Sequence, residues 1–240
     1  MIEMKTALVT GASSGIGKAI TERLLSEGYE VYGIGRNYPE ASSPNMHPLC
    51  YDLTDTAGLP AFLKTSVPDR LSLLVNCAGC AYYGMHENLS PAAIHEMVTV
   101  NVEVPLLLSA LFLRGLRETK GTIINVSSVT AKQSSNTHGC AYGATKAALS
   151  HFSESLFEET RKSGIRVLTV HPDLTDTALY RNADFHPATE TDCVLQSSEV
   201  ADCVMYAINA RAGMALTDIT VRPQRNRIVR ESRNSKHAGT

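Results

Sequence analysis

The sequence predicts an α/β fold: one doubly wound, parallel sheet of about seven strands with helices on both faces. Two observations favour this fold. Segments of strand and helix character alternate along the 240 residues. The strand segments, such as 71–76, are continuous apolar runs, which is typical of strands buried on both faces of a parallel sheet. No internal repeat or linker indicates a second domain, and the length suits a single large one.

The predicted elements follow one another from residue 5 to residue 221. A short apolar strand at 5–10 leads into an amphipathic helix at 15–27, which Gly28 ends. The remaining predicted strands are 31–35, 48–53, 71–76, 122–127, 165–171 and 216–221. The remaining predicted helices are 57–64, 92–100, 102–117, 142–163 and 198–210.

Composition and charge exclude several classes of protein. Hydrophobic residues make up 43% of the chain, as in an ordinary globular protein, and a net charge of −2 argues against a nucleic-acid partner. The longest apolar run, 104–113, contains a proline and is too short to span a membrane, so no membrane partner is expected. No signal peptide precedes the first strand, and we therefore expect a cytoplasmic protein.

The carboxyl-terminal region differs in charge from the rest. Residues 222–240 contain five Arg and one Lys against one Glu, a balance of +5, which leaves −7 for the remainder. We therefore divide the chain into a domain at 1–222, with a substrate loop at about 173–197, and a basic tail at 223–240. A solvated, partly disordered tail is the favoured interpretation, and contact with a neighbouring subunit is the alternative.

Six cysteines are expected to be free thiols in a reducing compartment. Cys77 and Cys80 form a C-x-x-C pattern, which is compatible with a redox pair or half a zinc site. No second such pattern and no histidine pair at ligand spacing accompanies it. Small residues packed beside a cofactor are the favoured interpretation, and no metal site is predicted.

A glycine-rich turn joins the first strand to the first helix. Gly11 suits a sharp turn, while Gly15 and Gly17 permit close approach of the backbone to a phosphate and of the helix to the strand. The free N–H groups of the first helical turn favour a pyrophosphate at this place. The sequence therefore predicts a dinucleotide site. Its turn residues are Gly11, Ser13, Ser14, Gly15, Ile16 and Gly17.

The residues after the second strand indicate which dinucleotide is bound. The segment 33–37 contains no acid that would hydrogen-bond the ribose of NAD, whereas Arg36 offers a planar fork of donors suited to a 2′-phosphate. Arg36 and Asn37 therefore favour NADP(H) over NAD(H). A solvated surface arginine is the alternative.

Tyr142 and Lys146 lie one turn apart on one face of the predicted long helix. A phenol of pKa about 10 is a poor base at neutral pH. A nearby ammonium and an oxidised nicotinamide ring would both lower that pKa. The preceding strand ends at Ser127 and Ser128, which could place a hydroxyl beside the phenol.

These motifs together resemble the classical short-chain dehydrogenase/reductase family, from residue 5 to about residue 222. The resemblance implies a Rossmann-type fold and assigns roles by position. Tyr142 would be the acid/base, Lys146 would bind the nicotinamide ribose and lower the phenol's pKa, and Ser128 would hydrogen-bond the substrate oxygen. The other matching residues are Asn101 (holding a water in a proton relay), Asp52 and Leu53 (adenine), and Asn76, Ala78 and Gly79.

Two departures from the family pattern concern the nicotinamide end. The proline–glycine after the sixth strand is Pro172-Asp173 here, which bears on the carboxamide contacts implied at Thr175 and Thr177. Ser128 and Tyr142 are 14 residues apart, one more than is usual, and an extra residue in the 132–140 loop would explain this. Ser127 is the alternative to Ser128.

The function predicted from these residues is an NADP(H)-dependent oxidoreductase that interconverts a secondary alcohol and a ketone by hydride transfer. An NADP(H)-binding regulator without turnover is the alternative from another class, and a nucleotide-sugar epimerase or dehydratase is a weaker one. Substrate identity is left open, because the loops 129–140 and 174–196 mix apolar and polar residues. Apolar surface on 104–113 and the long helix, together with the resemblance, implies a homodimer or homotetramer.

Overall fold

A computed structural model describes residues 4–38 and 43–230. The strands are β1 (Thr6–Thr10), β2 (Glu30–Gly35), β3 (Met46–Cys50), β4 (Leu73–Asn76), β5 (Thr122–Val126), β6 (Arg166–Pro172), β7 (Phe185–Pro187), β8 (Asp218–Val221) and β9 (Ile228–Arg230). The α-helices are α1 (Gly15–Ser26), α2 (Leu59–Ser66), α3 (Pro91–Val98), α4 (Val104–Thr119), α5 (Cys140–Thr160) and α6 (Ser197–Ile208).

Seven of these strands form one parallel sheet in the order β3-β2-β1-β4-β5-β6-β8. The predicted doubly wound α/β fold is confirmed. The strand order reverses between β1 and β4, because the chain moves outward from β1 to β3 and then returns to the other side of β1. In open α/β sheets, such a switch point leaves a crevice at the carboxyl ends of the strands, where ligands bind.

Alternation along the strands divides the core into two layers. In β1, Ala7 and Val9 belong to the cluster that contains Val204 of α6, together with side chains of α1. Leu8, between them in sequence, belongs to the opposite cluster with Leu108 of α4. Since successive side chains of a strand point to opposite faces, an all-apolar strand of this kind requires helices on both sides.

Several element boundaries differ from the prediction. The third strand, predicted at 48–53, ends at Cys50, because residues 51–55 turn: the Asp55 N–H donates to the Asp52 carbonyl. The helices predicted at 92–100 and 102–117 are joined without a break by a π-helical turn at Thr99–Glu103. A π turn of this kind is frequent at functional sites.

The combined helical stretch Pro91–Thr119 is, within the described residues, the one helix whose length and mean hydropathy of 1.6 match those of a membrane span. Of the 18 residues in its most apolar part, 44% are buried inside the protein. Leu108 and Leu116 on this stretch are fully buried against the sheet. The apolar character therefore serves at least in part to form the core.

The first part of the predicted tail contains a short strand. Strand β9 pairs antiparallel with β7 of the 173–197 loop, and the Ala188 N–H donates to the Arg227 carbonyl. Residues 224–230 are exposed to solvent, and their backbone is ordered against its own chain. Residues 231–240 of the predicted tail lie outside the described part.

Candidate active site

The glycine-rich turn packs closely against the segment after β4. Gly11 has a φ of +69°, and a Cβ there would approach the Ala78 Cα to 2.9 Å. Gly17 sits directly against the Gly11 carbonyl, with no room for a Cβ. Thr10 Oγ1 accepts hydrogen bonds from the backbone N–H groups of Cys77 and Ala78, each at 3.0 Å. These contacts fix the amino end of α1 beside the crevice at the switch point.

Two cavities meet at this turn. The large cavity, of about 480 Å³, extends from the turn to the ends of β5 and β6. The predicted residues that line it are Gly11, Ser14, Gly15, Ile16, Gly17, Ala78, Gly79, Ser128, Tyr142, Lys146, Pro172, Thr175 and Thr177. The small cavity, of about 140 Å³, lies beyond β2, and the predicted residues that line it are Gly11, Ser13, Ser14, Arg36, Asp52, Leu53, Ala78 and Gly79.

Three predicted residues line neither cavity among the described residues. Asn37 is exposed beside Arg36. Asn76 is buried beneath the site and donates to Asn125 Oδ1 at 2.8 Å. Asn101 is also buried, in the π turn, where its amide bonds the backbone N–H and C=O of Cys80 at 3.0 and 2.9 Å. Asn76 and Asn101 therefore hold the framework of the site in this structure.

Ser128 is the serine that faces the phenol. Its side chain is hydrogen-bonded to that of Tyr142, and its Oγ also accepts from the Thr130 N–H at 3.2 Å. The Ser127 hydroxyl instead donates to the Lys146 carbonyl at 3.0 Å and bonds Ser150 Oγ at 2.8 Å. The extra residue between Ser128 and Tyr142 lies in the intervening loop and leaves the two side chains together.

Burial governs the ionisation of Tyr142 and Lys146. Tyr142 is 3% exposed, and desolvation raises its pKa above the ordinary value. Burial also lowers the pKa of Lys146 to about 8. The Lys146 Nζ lies 5.9 Å from the Tyr142 ring centroid and donates to the Val126 carbonyl at 2.9 Å. Burial therefore raises the phenol's pKa, whereas the sequence predicts that the ammonium lowers it.

Asp173, which replaces the family's glycine, lies at the end of β6 on the wall of the large cavity. Its N–H donates to the Val221 carbonyl at 2.9 Å, and its Oδ1 accepts from the Leu174 N–H at 2.9 Å. Arg222 Nε lies 3.9 Å from the other carboxylate oxygen. The carboxylate thus has partners in its own loop and after β8, and Thr175 and Thr177 line the same cavity.

A charged network behind Ser128 was not predicted from the sequence. The buried His171 faces the Ser128 carbonyl with Nδ1 at 3.1 Å and Asp218 Oδ2 with Nε2 at 2.9 Å. Lys132 Nζ pairs with the other oxygen of Asp218 at 2.5 Å. These residues come from separate elements, β6, β8 and the loop after β5, so no local sequence signal joins them. Together they tie the backbone of Ser128 to the end of the sheet.

A group of aromatic rings at the other wall of the large cavity was also missed. The aromatic patch, which consists of Tyr83, Tyr180 and Phe185, begins beside Tyr142: the Tyr83 and Tyr142 ring centroids are 5.7 Å apart. Phe185 meets Tyr83 edge-on at 5.0 Å, and Tyr180 stacks on Tyr83 at 6.4 Å. The apolar part of the cavity is therefore continuous with the phenol.

The model of the family described as short chain dehydrogenase matches residues 5–187 of this sequence. The chain belongs to the short-chain dehydrogenase family. Uncharacterized oxidoreductases of Staphylococcus epidermidis and Staphylococcus aureus are 29% and 28% identical to it. The first comparison covers 92% of this chain and 98% of the relative, and the second covers 91% and 97%. The chain is thus a member of an oxidoreductase family, as the motifs predicted.

Solved structures of the family share the fold. A short-chain dehydrogenase from Sphingobium yanoikuyae, in complex with NADPH, is 26% identical with a TM-score of 0.79, over 90% of this chain and 87% of that one. An alcohol dehydrogenase from the archaeon Thermococcus sibiricus, complexed with 5-hydroxy-NADP, is 22% identical with a TM-score of 0.81, over 94% and 99%. The latter similarity concerns the fold alone.

The two cysteines of the C-x-x-C pattern line the two cavities. Burial raises the pKa of both the Cys77 and Cys80 thiols to about 12, which disfavours the thiolate that redox chemistry or metal binding needs. Cys77 lines the large cavity and Cys80 the small one. Within the described residues, no group of three or more potential metal-ligating side chains is present. The packing of these small residues beside a cofactor stays a prediction.

Lys146 gives a stability prediction with a defined sign. The folded protein loses the Lys146 proton at about pH 8, whereas the unfolded chain keeps it up to the ordinary pKa of 10.5. Between these values the unfolded state binds more protons, so the cost of the buried charge, fully present below pH 8, is relieved as pH rises. We expect the melting temperature of the cofactor-free protein, relative to Lys146→Met, to rise between pH 7 and pH 10.

Thermal melts of the two proteins across this range make the measurement. Lys64→Met, at an exposed lysine on α2, is the matched control. Its melting temperature should change with pH in the same way as that of the unmodified protein. If the melting temperature of Lys146→Met also changed with pH as that of the unmodified protein does, the buried lysine would not titrate in this range.

Proposed function

We propose that this chain is an NADP(H)-dependent oxidoreductase that interconverts a secondary alcohol and a ketone. The observation that carries the proposal is the placement of Ser128, Tyr142 and Lys146 on the wall of one cavity that continues to the glycine turn. A hydroxyl, a phenol and an ammonium at one end, with free helix N–H groups at the other, suit a nicotinamide dinucleotide and a carbonyl bound side by side.

The residues fit such a cofactor. Gly11 and Gly17 allow the close backbone packing that forms the turn, and α1 has no acidic residue in its first turn to repel a pyrophosphate. Thr177 lies beside Gly15, where it can reach the same phosphates or the ring that follows them. When bound, the nicotinamide supplies or accepts the hydride.

The proton is handled by the chain itself. In the direction of reduction, the Tyr142 hydroxyl donates its proton to the substrate oxygen while the Ser128 hydroxyl hydrogen-bonds the same atom. Burial keeps the phenol protonated, so the proton is present before the reaction begins. In the direction of oxidation, Tyr142 must lose its proton first, and the positive charges of Lys146 and of an oxidised cofactor favour the phenolate.

The test is a spectrophotometric assay of NADPH consumption against a broad panel of ketones, diketones and keto acids. Turnover of one chemical class would support the proposal and name the substrate. Tight NADPH binding with no turnover of any compound would instead favour the cofactor-binding regulator considered above. An epimerase would convert its sugar substrate without net consumption of NADPH.

Arg36 underlies the proposed preference for NADP(H). Its side chain lines the small cavity together with Ser13 and Asp52, at the place where the 2′-phosphate would lie. We expect Arg36→Ala to weaken NADPH binding by about tenfold or more, the value of one charge-assisted contact, and to change NADH binding little. Titration of both cofactors by fluorescence measures this.

The control for Arg36→Ala is Arg211→Ala, which removes an exposed arginine that lines neither cavity. It should leave both affinities unchanged. Equal losses of NADPH and NADH affinity in Arg36→Ala would show that Arg36 does not distinguish the two cofactors.

We also propose that the protein is a cytoplasmic homodimer or homotetramer. Three large apolar side chains on the α3–α4 stretch are exposed: Val98, Leu106 and Leu111. On the described chain alone, these side chains leave an apolar face that a second copy could cover. Light scattering measures the assembly directly, and a monomeric mass at micromolar concentration would contradict it.

A further inference from the structure

Strand β9 contributes one face of its ribbon to the large cavity. In the antiparallel pair with β7, Phe185 stands opposite Arg230 and Pro187 opposite Ile228. Residues directly opposed in such a pair share a face, whereas their sequence neighbours lie on the other. Arg230 therefore lies on the face of Phe185, and both Ile228 and Arg230 line the cavity.

This face is connected to the chemistry by ring contacts. Phe185 packs edge-on against Tyr83 at 5.0 Å, and Tyr83 lies 5.7 Å from the Tyr142 ring. The aromatic patch therefore reaches without interruption from the phenol to the β7–β9 ribbon. A substrate with its carbonyl at Tyr142 and an apolar body along the patch would point its far end at Arg230.

Two ion pairs anchor the segment before β9, and neither of them includes Arg230. Arg225 binds both oxygens of Asp192 at 2.6 and 2.8 Å, and Arg227 pairs with Glu190 at 2.6 Å. Across residues 4–38 and 43–230, by contrast, no acidic side chain forms an ion pair with Arg230. An arginine that lines a cavity and has no acidic partner among the described residues can offer its donors to a ligand.

The charges of the other lining residues do not oppose an anion at Arg230. The Asp173 carboxylate has Arg222 Nε at 3.9 Å and accepts a hydrogen bond from the Leu174 N–H. Arg181 and Asp184 also line the cavity and carry opposite charges, so these two side chains and Arg230 together sum to +1. This sum favours an anionic rather than a cationic group beside them.

We propose that Arg230 is the recognition site for an anionic group of the substrate, so that the preferred substrates are ketones with an apolar, ring-containing body and a distal carboxylate. The substrate class rests on the proposed oxidoreductase function, but the anion site can be tested without turnover. The segment 222–230 is then a wall of the substrate site, and Arg230 is the residue that determines specificity for charge.

The first experiment compares matched acids and esters as substrates. 4-Acetylbenzoate, 3-(4-acetylphenyl)propionate and 5-(4-acetylphenyl)valerate carry the ring between the ketone and the carboxylate, at three distances, and their methyl esters lack the charge. For the acid that is reduced best, we expect Arg230→Ala to lower kcat/KM by about tenfold or more, mainly through KM, while the ester changes by less than about twofold. Arg230→Lys should retain part of the preference for the acid over its ester.

Two control variants separate the charge of Arg230 from effects on the fold. Val229→Ala alters the opposite face of the same strand, and Arg211→Ala removes an exposed arginine that lines neither cavity. Both should preserve the ratio of acid to ester. If Arg230→Ala also preserves this ratio, or lowers acid and ester equally, the proposal is overturned.

The second experiment measures binding alone. Phenylpropionate, which has the ring and the carboxylate but no reducible ketone, is titrated by calorimetry into the NADPH-saturated protein and into Arg230→Ala. We expect the variant to bind it at least about tenfold more weakly. Equal binding, or no binding to the unmodified protein, overturns the anion site. Arg230-dependent binding without turnover of any ketone would uphold the site and count against the oxidoreductase instead.

Discussion

Tyr142→Phe is expected to lower the rate of NADPH-dependent ketone reduction by about 10²- to 10⁴-fold, the contribution typical of a positioned general acid. The substitution removes one hydroxyl and keeps the ring, which packs against Tyr83. The hydroxyl that is lost is the one that burial keeps protonated. Steady-state kinetics measures the loss, and NADPH titration should give an affinity within about twofold of the original.

The matched control for this substitution is Tyr29→Phe. Tyr29 is 5% exposed, and burial raises its pKa as it does that of Tyr142, but it packs in the core and lines neither cavity. The control variant should retain its activity. Retention of most activity in Tyr142→Phe would instead rule out the proposed proton donor, since no other buried phenol is hydrogen-bonded to Ser128 among the described residues.

Gly17→Ala is expected to abolish measurable NADPH binding and to lower the free energy of unfolding by about 3 kcal/mol or more, as severe overpacking does. The reason is the contact of Gly17 with the Gly11 carbonyl, which leaves no space for a methyl group. Helix propensity alone would predict the opposite sign, because alanine is favoured over glycine in a helix by about 1 kcal/mol. Denaturant melts and cofactor titration measure the two effects.

Gly28→Ala provides the comparison. Gly28 ends α1 with a φ of +79°, and a Cβ there would meet no atom within 4 Å. This variant should lose only about 1 kcal/mol, the cost of a left-handed backbone for alanine, and should keep its cofactor affinity. If Gly17→Ala were no more destabilised than Gly28→Ala, the close packing of the turn would not be needed for the site.

Those parts of the site that depend on local chain geometry could be predicted from the sequence. The glycine spacing of 10–17 places a turn between strand and helix, and four residues of helix bring Tyr142 and Lys146 to one face. The continuous apolar strands gave the fold class for the same reason, since they require cover on both sides. The strand ends were less accurate, because β3 stops where Asp52 begins a turn.

The alternation of strands and helices, the glycine-rich turn and the spacing of Tyr142 and Lys146 are local features, and they can be read from the sequence. The surroundings of these residues depend on contacts between distant parts of the chain. The His171–Asp218 pair, the aromatic patch and the pairing of β9 with β7 join residues that lie far apart in the chain. Burial acts in the same way: it raises the pKa of Tyr142 and lowers that of Lys146 through side chains from several elements, and no local pattern in the sequence records that environment.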